Sequence, residues 1–362
     1  MKRKLLAIAV CAAVAAPVSA IANTELYGRI NLSIDHFDGK EAGVPGGVGY
    51  DEPTSGTYQL NSNKSYFGMR GGADLTAGLR GFYQLEFGVN VDEGVTGDDL
   101  LFTRNSFLGL ESGFGSVQAG RFDTPLRAMG AGVDQFRDIR YADFANIVAG
   151  EWRADNIIQY TTPKIADMVT IAIATVAAED QADATDSGNN NNKLFDTLSI
   201  SAMLDLGDFY AGVGYDKNNY GIQNDNGLYL SNFYSDNIAG SGVSSIDLGQ
   251  SNDIYRVVAG INMDALEVGV LLQQAEDVND SDNKNRSYLL SAGFELTDMV
   301  KLKAQYGETD FRGMADFKAR QATVGADYML GQQTKTYIYT TRQEVDGDRH
   351  FAVVGIGAEH RF

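Results

Sequence analysis

The chain has 362 residues, 48 of them acidic and 29 basic, for a formal net charge of −19. A surface this acidic excludes the phosphate-neutralising face that nucleic-acid binding requires, so no nucleic-acid partner is expected. Forty-one glycines, 18 tyrosines and 18 phenylalanines against 5 prolines favour many strands joined by tight turns over a helical fold.

The first element is a leader. Lys2, Arg3 and Lys4 precede an apolar run from Leu5 to Ala16, and small residues follow through Ala22. This is the order of a secretory signal peptide, read here as residues 1–22, with a single domain over 23–362. A buried N-terminal helix is the alternative. A lipoprotein reading of Cys11 fails, because Val10 stands where a small residue is needed and the apolar run would be cut in half. Removing the leader's three positive charges takes the net charge from −19 to −22, and also removes Cys11, the one cysteine. The exported domain is therefore expected to hold no disulfide, although its destination permits them. Beyond the leader no run approaches the roughly 18 apolar residues of a membrane helix.

From residue 24 onward the dominant signal is alternation with period two. In LYGRINLSID, Leu26, Gly28, Ile30, Leu32 and Ile34 share one face while Arg29, Asn31, Ser33 and Asp35 share the other. The same pattern recurs in GLRGFYQLEF (78–87), FYAGVGY (209–215), LEVGVLLQQ (266–274) and VKLKAQYG (300–307). Sixteen candidate strands start near residues 24, 57, 78, 101, 115, 152, 168, 195, 207, 252, 265, 286, 299, 317, 334 and 351. Either a sandwich or an outer-membrane barrel produces such alternation. Connection length separates them. Short turns such as 111–113, 205–207 and 297–298 alternate with long Asp/Asn-rich loops such as 178–194, 217–251 and 276–285. Short turns on one rim and long loops on the other are the mark of a bacterial outer-membrane barrel. About 16 strands leave an aqueous channel. The expected fold class is all-β, an antiparallel 16-stranded transmembrane β-barrel with both chain ends at the periplasmic rim.

Several stretches resemble the Gram-negative general porins, the trimeric 16-stranded family. ELYGRINLSI resembles the family's first strand, and NKSYFGMRGGADLTAGLRGFYQLEFGV its second hairpin. TRNSFLGLESGFGSVQAGRFDTP resembles the hairpin entering the third loop, and RADNIIQYTTPKIAD the strand leaving it. The terminal aromatic in VVGIGAEHRF is the family's assembly mark. The resemblance implies a homotrimer in the outer membrane, with lipopolysaccharide and outer-membrane lipid around it. It also implies a third loop folded into the barrel and recognition of Phe362 by the barrel assembly machinery.

The third loop is expected at 123–151. It is long yet carries Phe136, Tyr141 and Phe144, which a fully exposed loop would not need, and Asp134, Asp138 and Asp143 would form its acidic edge. Opposite, Arg29, Arg70, Arg80 and Arg104 all fall on lumen parity in the first four strands, where they avoid the cost of arginine facing lipid, several kcal/mol near the midplane. Arg121 and Arg153 resemble the family's pore arginines, although strict alternation sets Arg121 on the face of Val117 and Ala119. A field across such an opening would pass ions and small hydrophilic solutes by passive diffusion. The acidic excess predicts weak cation preference. The loop's aromatic residues keep open a substrate-specific channel, for instance for sugars, and a secreted soluble β-protein is a further rival. An outer-membrane enzyme is disfavoured: neither HExxH nor GxSxG is present, and nothing places a nucleophile beside His36, His350 or His360. No cofactor is expected. DVNDSDNKN offers carboxylates but lacks the glycine and terminal glutamate of an EF-hand, so no metal site is expected either.

Overall fold

The protein was analysed as a computed structural model describing residues 24–40, 55–76, 78–92, 101–177, 197–219, 252–278, 280–313, 317–345 and 349–362. The expected leader, all of the Asp/Asn-rich stretch 178–194 and most of 217–251 lie outside these residues. Eighteen hydrogen-bonded segments form one antiparallel sheet. Two barrel strands are each broken into collinear segments, so the segments make a closed barrel of sixteen strands.

In chain order the strands are β1 (Glu25–Lys40), β2 (Thr57–Ser62 and Tyr66–Thr76), β3 (Leu79–Val89), β4 (Leu101–Thr103 and Ser106–Ser112) and β5 (Gly115–Asp123). After a short helix, α1 (Pro125–Gly130), come β6 (Arg153–Thr161), β7 (Val169–Val176), β8 (Leu198–Asp205) and β9 (Phe209–Asn219). Then follow β10 (Asn252–Met263), β11 (Leu266–Asp277), β12 (Lys284–Thr297), β13 (Val300–Arg312), β14 (Phe317–Met329), β15 (Thr334–Val345) and β16 (Arg349–Arg361). Each starts within three residues of its expected position.

Alternation decides what each face meets. In β1, Leu26, Ile30 and Ile34 are 59%, 43% and 52% exposed, while Asn31, Ser33 and Asp35 are at most 2% exposed. The apolar residues thus point out and the polar ones in, as an outer-membrane barrel requires. Rings cap the outward face toward both rims, among them Phe114, Phe209 and Phe294 at the short-turn end and Tyr58 and Tyr255 at the other.

The two broken strands are a departure from the regular pattern. In β2 the break falls at Asn63–Lys64–Ser65, where Lys64 adopts φ 50°. Both segments still pair with β1, from Phe37↔Thr57 to Leu32↔Ser62 and from Arg29↔Tyr66 to Glu25↔Arg70. The carbonyls freed at the break accept from Arg29, whose Nη2 lies 2.9 Å from the Lys64 oxygen. In β4 the break falls at Arg104–Asn105, with the Arg104 amide still donating to Glu86 O at 2.9 Å. Each break turns a cation into the lumen.

Closure joins β1 to β16 in register from Arg29↔Arg361 to Lys40↔His350. It extends to the last residue: Gly28 N donates to Phe362 O at 2.9 Å and Phe362 N to Gly28 O at 3.1 Å. The Phe362 ring lies over Gly28, in the space that a side chain there would occupy, with the Tyr66 carbonyl 2.9 Å from where a Cβ would sit. We expect Gly28→Val to displace the ring and weaken the seam, so that the folded form, followed by heat-dependent gel mobility in detergent, unfolds at a lower temperature. An unchanged transition would show that the ring is not part of the seal.

Candidate functional site

The segment between β5 and β6 folds into the barrel and crosses it. Its apolar residues are the reason: Leu126, Val133, Phe136, Tyr141, Phe144, Ile147 and Val148 are each at most 2% exposed. Met129, Val133, Phe144, Ile147 and Val148 pack on Val258, Leu271, Leu289, Phe311 and Ala319 of β10–β14. Phe136, Ile139 and Tyr141 pack on Phe37, Tyr337, Tyr339, Phe351 and Val353 of β1, β15 and β16. The wall makes room with inward glycines. A Cβ on Gly269 would come within 3.0 Å of Val133, one on Gly307 within 2.8 Å of Ile147, and one on Gly325 within 2.9 Å of Phe136. These glycines occupy lumen positions on β11, β13 and β14, so the loop's side chains fit between smooth stretches of wall.

The loop's backbone is tied down by wall side chains, which answers its need for hydrogen-bond partners away from water. Gln321 donates to Ala142 O at 2.7 Å, Gln273 to Ala149 O at 2.9 Å, and Ser291 to Val133 O. Arg256, on β10 and 1% exposed, holds both ends of the loop at once. It donates to Leu126 O at 3.1 Å, Ala149 O at 2.8 Å and the Glu151 carboxylate at 2.7 Å.

Charges of both signs meet along the loop's other edge. Arg29 reaches Asp138 at 2.8 Å, and Lys64 reaches Asp138 at 3.4 Å and Asp143 at 3.3 Å. Arg153, Arg127 and Arg137 converge on Asp123 at 3.0, 3.4 and 3.7 Å. Arg104 pairs with Glu86 at 2.8 Å. The Tyr66 ring lies between Arg29 and Arg104, 5.1 and 5.0 Å from their guanidinium carbons, so its two faces attract both cations. Burial would raise the Asp138 carboxyl, but Arg29, Lys64, Arg104 and Arg137 outweigh it and hold it well below the ordinary range. Asp134 goes the other way. Burial, and then the nearby Asp143 carboxylate, push it well above that range.

Of the residues singled out from sequence, the fold brings together Arg29, Arg104 and Arg153 with Asp138 and Asp143. Asp134 lies in the same loop but serves it internally, accepting from the Phe136 amide at 2.9 Å and the Phe144 amide at 3.3 Å. Arg70 and Arg80 do not join them. Both sit near the short-turn rim, in exposed pairs with Glu25 at 2.9 Å and Glu111 at 3.3 Å. Arg121 faces outward and pairs with Asp155 at 2.6 Å. A bulge does occur beside it, where pairing steps from Gly120↔Ile157 to Phe122↔Ala154. The extra residue belongs to β6, where Asn156 has φ 53°, so Arg121 keeps its outward parity. Sequence reasoning missed Lys64, Arg127, Arg137, Glu86, Glu151 and Arg256. A strand break places Lys64 and loop turns place Arg127, Arg137 and Glu151, with no period to read, whereas Glu86 and Arg256 lie at lumen parity in regular strands, a signal the alternation did carry.

Two cavities flank the loop. One, of about 550 Å³, lies between the loop's Ala128, Met129 and Gly132 and the wall from β4 to β10. The other, of about 10 Å³, lies among Lys64, Arg127, Arg137, Asp143 and Glu151. About 10–15 Å³ is the minimum that holds one water. The paired side chains of Arg29, Lys64, Arg104, Glu86, Asp138 and Asp143 are 4–13% exposed, so this charged edge is in contact with the wall.

A sealed barrel with greasy exterior, polar interior and an inward loop that leaves part of the lumen open is a channel architecture. The profile of the Gram-negative porins matches residues 7–348, and the chain belongs to that family. It is 25% identical to the major outer membrane protein P.IB of Neisseria meningitidis serogroup A over 379 residues, covering 100% of both chains. Among solved structures it resembles an anion-selective porin from Comamonas acidovorans, with TM-score 0.68 and 21% identity over 94% of this chain and 99% of that one. It also resembles the trimer form of OmpT from Vibrio cholerae, with TM-score 0.61 and 15% identity over 94% and 99%. The protein is an outer-membrane porin.

Two outcomes test the loop's anchoring. Arg256→Met leaves Glu151 buried with a weakened partner set, a loss of about 3–5 kcal/mol for a broken buried pair. We expect a looser loop, larger or noisier single-channel conductance and a lower unfolding temperature; unaltered conductance would count against the anchor. For pH, a lowered folded value means that Asp138 contributes stability above about 3.9 and loses it only as pH falls through that lower value. Asp134, with a raised folded value, contributes fully below about 3.9 and loses that contribution as pH rises through its folded value. Acidification from pH 7 to about 4 should therefore not release the loop, and conductance should rise only in stronger acid. A rise already at pH 5 would contradict this assignment.

Proposed function

We propose that the protein forms a water-filled channel for passive diffusion of ions and small hydrophilic solutes across the outer membrane, with weak cation preference. The observation that carries the channel reading is the cavity of about 550 Å³ left beside a loop that is otherwise pressed onto the wall. The reading involves no bond chemistry and no cofactor.

Cation preference is supported by where the acids lie. In sequence, the connections 41–54, 93–100, 178–196, 220–251, 314–316 and 346–348 carry Lys193 as the one base among their charges. Among the described residues the cations and carboxylates of the lumen pair off, so a net negative charge carried by those connections would make the mouth negative. A negative mouth enriches cations over about a Debye length, roughly 8–10 Å, without rejecting anions outright. The likeness to an anion-selective porin from Comamonas acidovorans makes the opposite sign a direct competitor.

Assembly as a homotrimer is supported by the likeness to a neighbour solved in a trimer form. Lipopolysaccharide and outer-membrane lipid would contact the outward apolar face. Phe362, exposed at 52% beside the seam, is available as the assembly machinery's recognition element, and residues 1–22 would direct export. The sugar-channel alternative loses its original support, because Phe136, Tyr141 and Phe144 face the wall and not the open space.

Purified protein in a planar bilayer is expected to conduct in discrete steps, closing in threes if each particle holds three pores. In a salt gradient the reversal potential should take the sign of cation preference, smaller at high ionic strength. The opposite sign would overturn the selectivity reading, and an electrically silent membrane would overturn the channel itself.

A further inference from the structure

The outward face changes character on one side of the barrel. On β11–β15 the even-numbered residues point outward, while odd-numbered ones such as Ser287, Thr309 and Gln321 are at most 5% exposed. Through the middle of these strands the outward positions are apolar: Leu290, Val324 and Ile338 are 52%, 53% and 53% exposed. Next, toward the long-loop rim, come Tyr288 and Tyr306, with ring centroids 6.0 Å apart. Around and beyond that level stand Lys284, Arg286, Arg312, Lys318, Arg320 and Arg342, against Glu276, Glu308, Asp310 and Glu344. Six bases against four acids leave a local positive excess in a chain whose formal net charge is −19. Arg286 is exposed and central, in register with Gln274 on one side and Asp310 on the other. Its Nε donates to Gln274 at 3.1 Å, and among the described residues no carboxylate lies within ion-pair distance of it. Arg312 and Arg342 remain 55% and 52% exposed although each meets a carboxylate two residues away on its own strand.

We propose that this wall is a fixed binding site for the phosphate groups of an outer-leaflet glycolipid, contacted directly by the basic side chains and without a bridging metal ion. The inference rests on the outer-membrane placement above, and it names the face and the chemistry of the lipid contact. Height is the first argument. A base facing hydrocarbon is costly at the midplane and nearly free at the headgroups, so a basic row just past the tyrosines marks the level of the phosphates. Geometry is the second. Lys284, Arg286, Arg312 and Lys318 lie on three neighbouring strands, a patch about 10 Å wide. Guanidinium groups take phosphate through paired hydrogen bonds, and each carries more N–H donors than one carboxylate can occupy. Complementarity is the third. A phosphorylated lipid supplies acyl chains for Leu290 and Val324 and phosphate for the row above them. A second copy of this chain would need a matching acidic row, but Tyr58, Leu60 and Leu101 hold outward positions on β2 and β4 toward that rim, 73%, 53% and 40% exposed.

The test titrates the folded protein in detergent, with EDTA present, against lipid A carrying two phosphates, and counts bound lipid by native mass spectrometry. The triple replacement Lys284→Gln, Arg286→Gln and Arg312→Gln is expected to weaken binding at least about tenfold, given about fivefold for each base near a charged membrane surface. The same change of net charge at the short-turn rim, Arg70→Gln with Arg80→Gln and Lys164→Gln, should leave binding within experimental error. Heat-dependent gel mobility checks that each variant is folded. Should the triple variant fail that check, Arg286→Gln alone is expected to weaken binding about fivefold. Lipid A stripped of both phosphates should bind at least about tenfold more weakly to the unaltered protein, and excess inorganic phosphate should not displace the intact lipid. Equal binding by the β12–β13 variants and the unaltered protein would overturn the proposal. So would an equal loss in the rim control, equal binding of the stripped lipid, displacement by inorganic phosphate, or binding that appears only with Mg²⁺. Failure of the unaltered protein to insert into lipid vesicles would instead fall on the outer-membrane reading.

Discussion

Hydrocarbon offers no hydrogen bonds to a polypeptide, and this one constraint shapes the molecule. Each unpaired backbone amide or carbonyl in lipid costs several kcal/mol, so a sheet that enters the membrane must close on itself. The seam between β1 and β16 meets that demand through twelve residue pairs, with Gly28 and Phe362 continuing it to the last residue. Closure in turn fixes an inside and an outside. Once they exist, period-two alternation sends Ile30 and Ile34 to lipid and Asn31 and Ser33 to water without further instruction.

An enclosed lumen can hold groups that neither lipid nor a packed core would tolerate singly. Arg29, Lys64, Arg104 and Arg153 are buried there at little cost because each meets a carboxylate within 3.4 Å. The arrangement has a consequence for mechanism. Opposed charges held apart across an opening create a field, but charges in contact neutralise each other and become structure. Here the loop's aspartates touch the wall's cations, so the pairs fix the loop's position.

The framework was legible from the sequence because its cause is local. Alternation in LEVGVLLQQ places Val268 and Leu272 outside and Leu271 and Gln273 inside, and turn length sorts the two rims. The inward loop was legible from Phe136, Tyr141 and Phe144, apolar residues with no reason to face water. The charge geometry was legible only in part. Lumen parity selects a face but not a height, which is why Arg70 and Arg80 share a face with Arg29 yet lie at the rim. Arg121 shows a second limit: the resemblance pointed it into the pore while strict alternation set it outside, and because the bulge beside it falls in β6 it stays outside. Lys64 enters the lumen through a strand break that no alternation predicts, since NKS reads as readily as a continuing strand. The inward glycines at 269, 307 and 325 did carry a signal, since they fall on lumen parity in β11, β13 and β14, where a polar residue would be the ordinary choice.

Those glycines also explain why the loop lies where it does. A loop entering a wet lumen could rest against any part of the wall, and its charges alone would leave it near β1 and β2. Apolar contact needs a wall without protruding polar side chains, and β11, β13 and β14 provide one at the height of Val133, Ile147 and Phe136. Burying a side chain of this size gains about 1.5–3 kcal/mol, whereas a buried ion pair loses much of its attraction to desolvation. The hydrophobic contacts therefore choose the side of the barrel, and Arg256 and the Asp138 pairs then lock the register. Because the loop must span from the tops of β5 and β6 to that far wall, the space it vacates is the stretch of lumen beneath its own attachment point. The location of the open cavity thus follows from the location of the glycines.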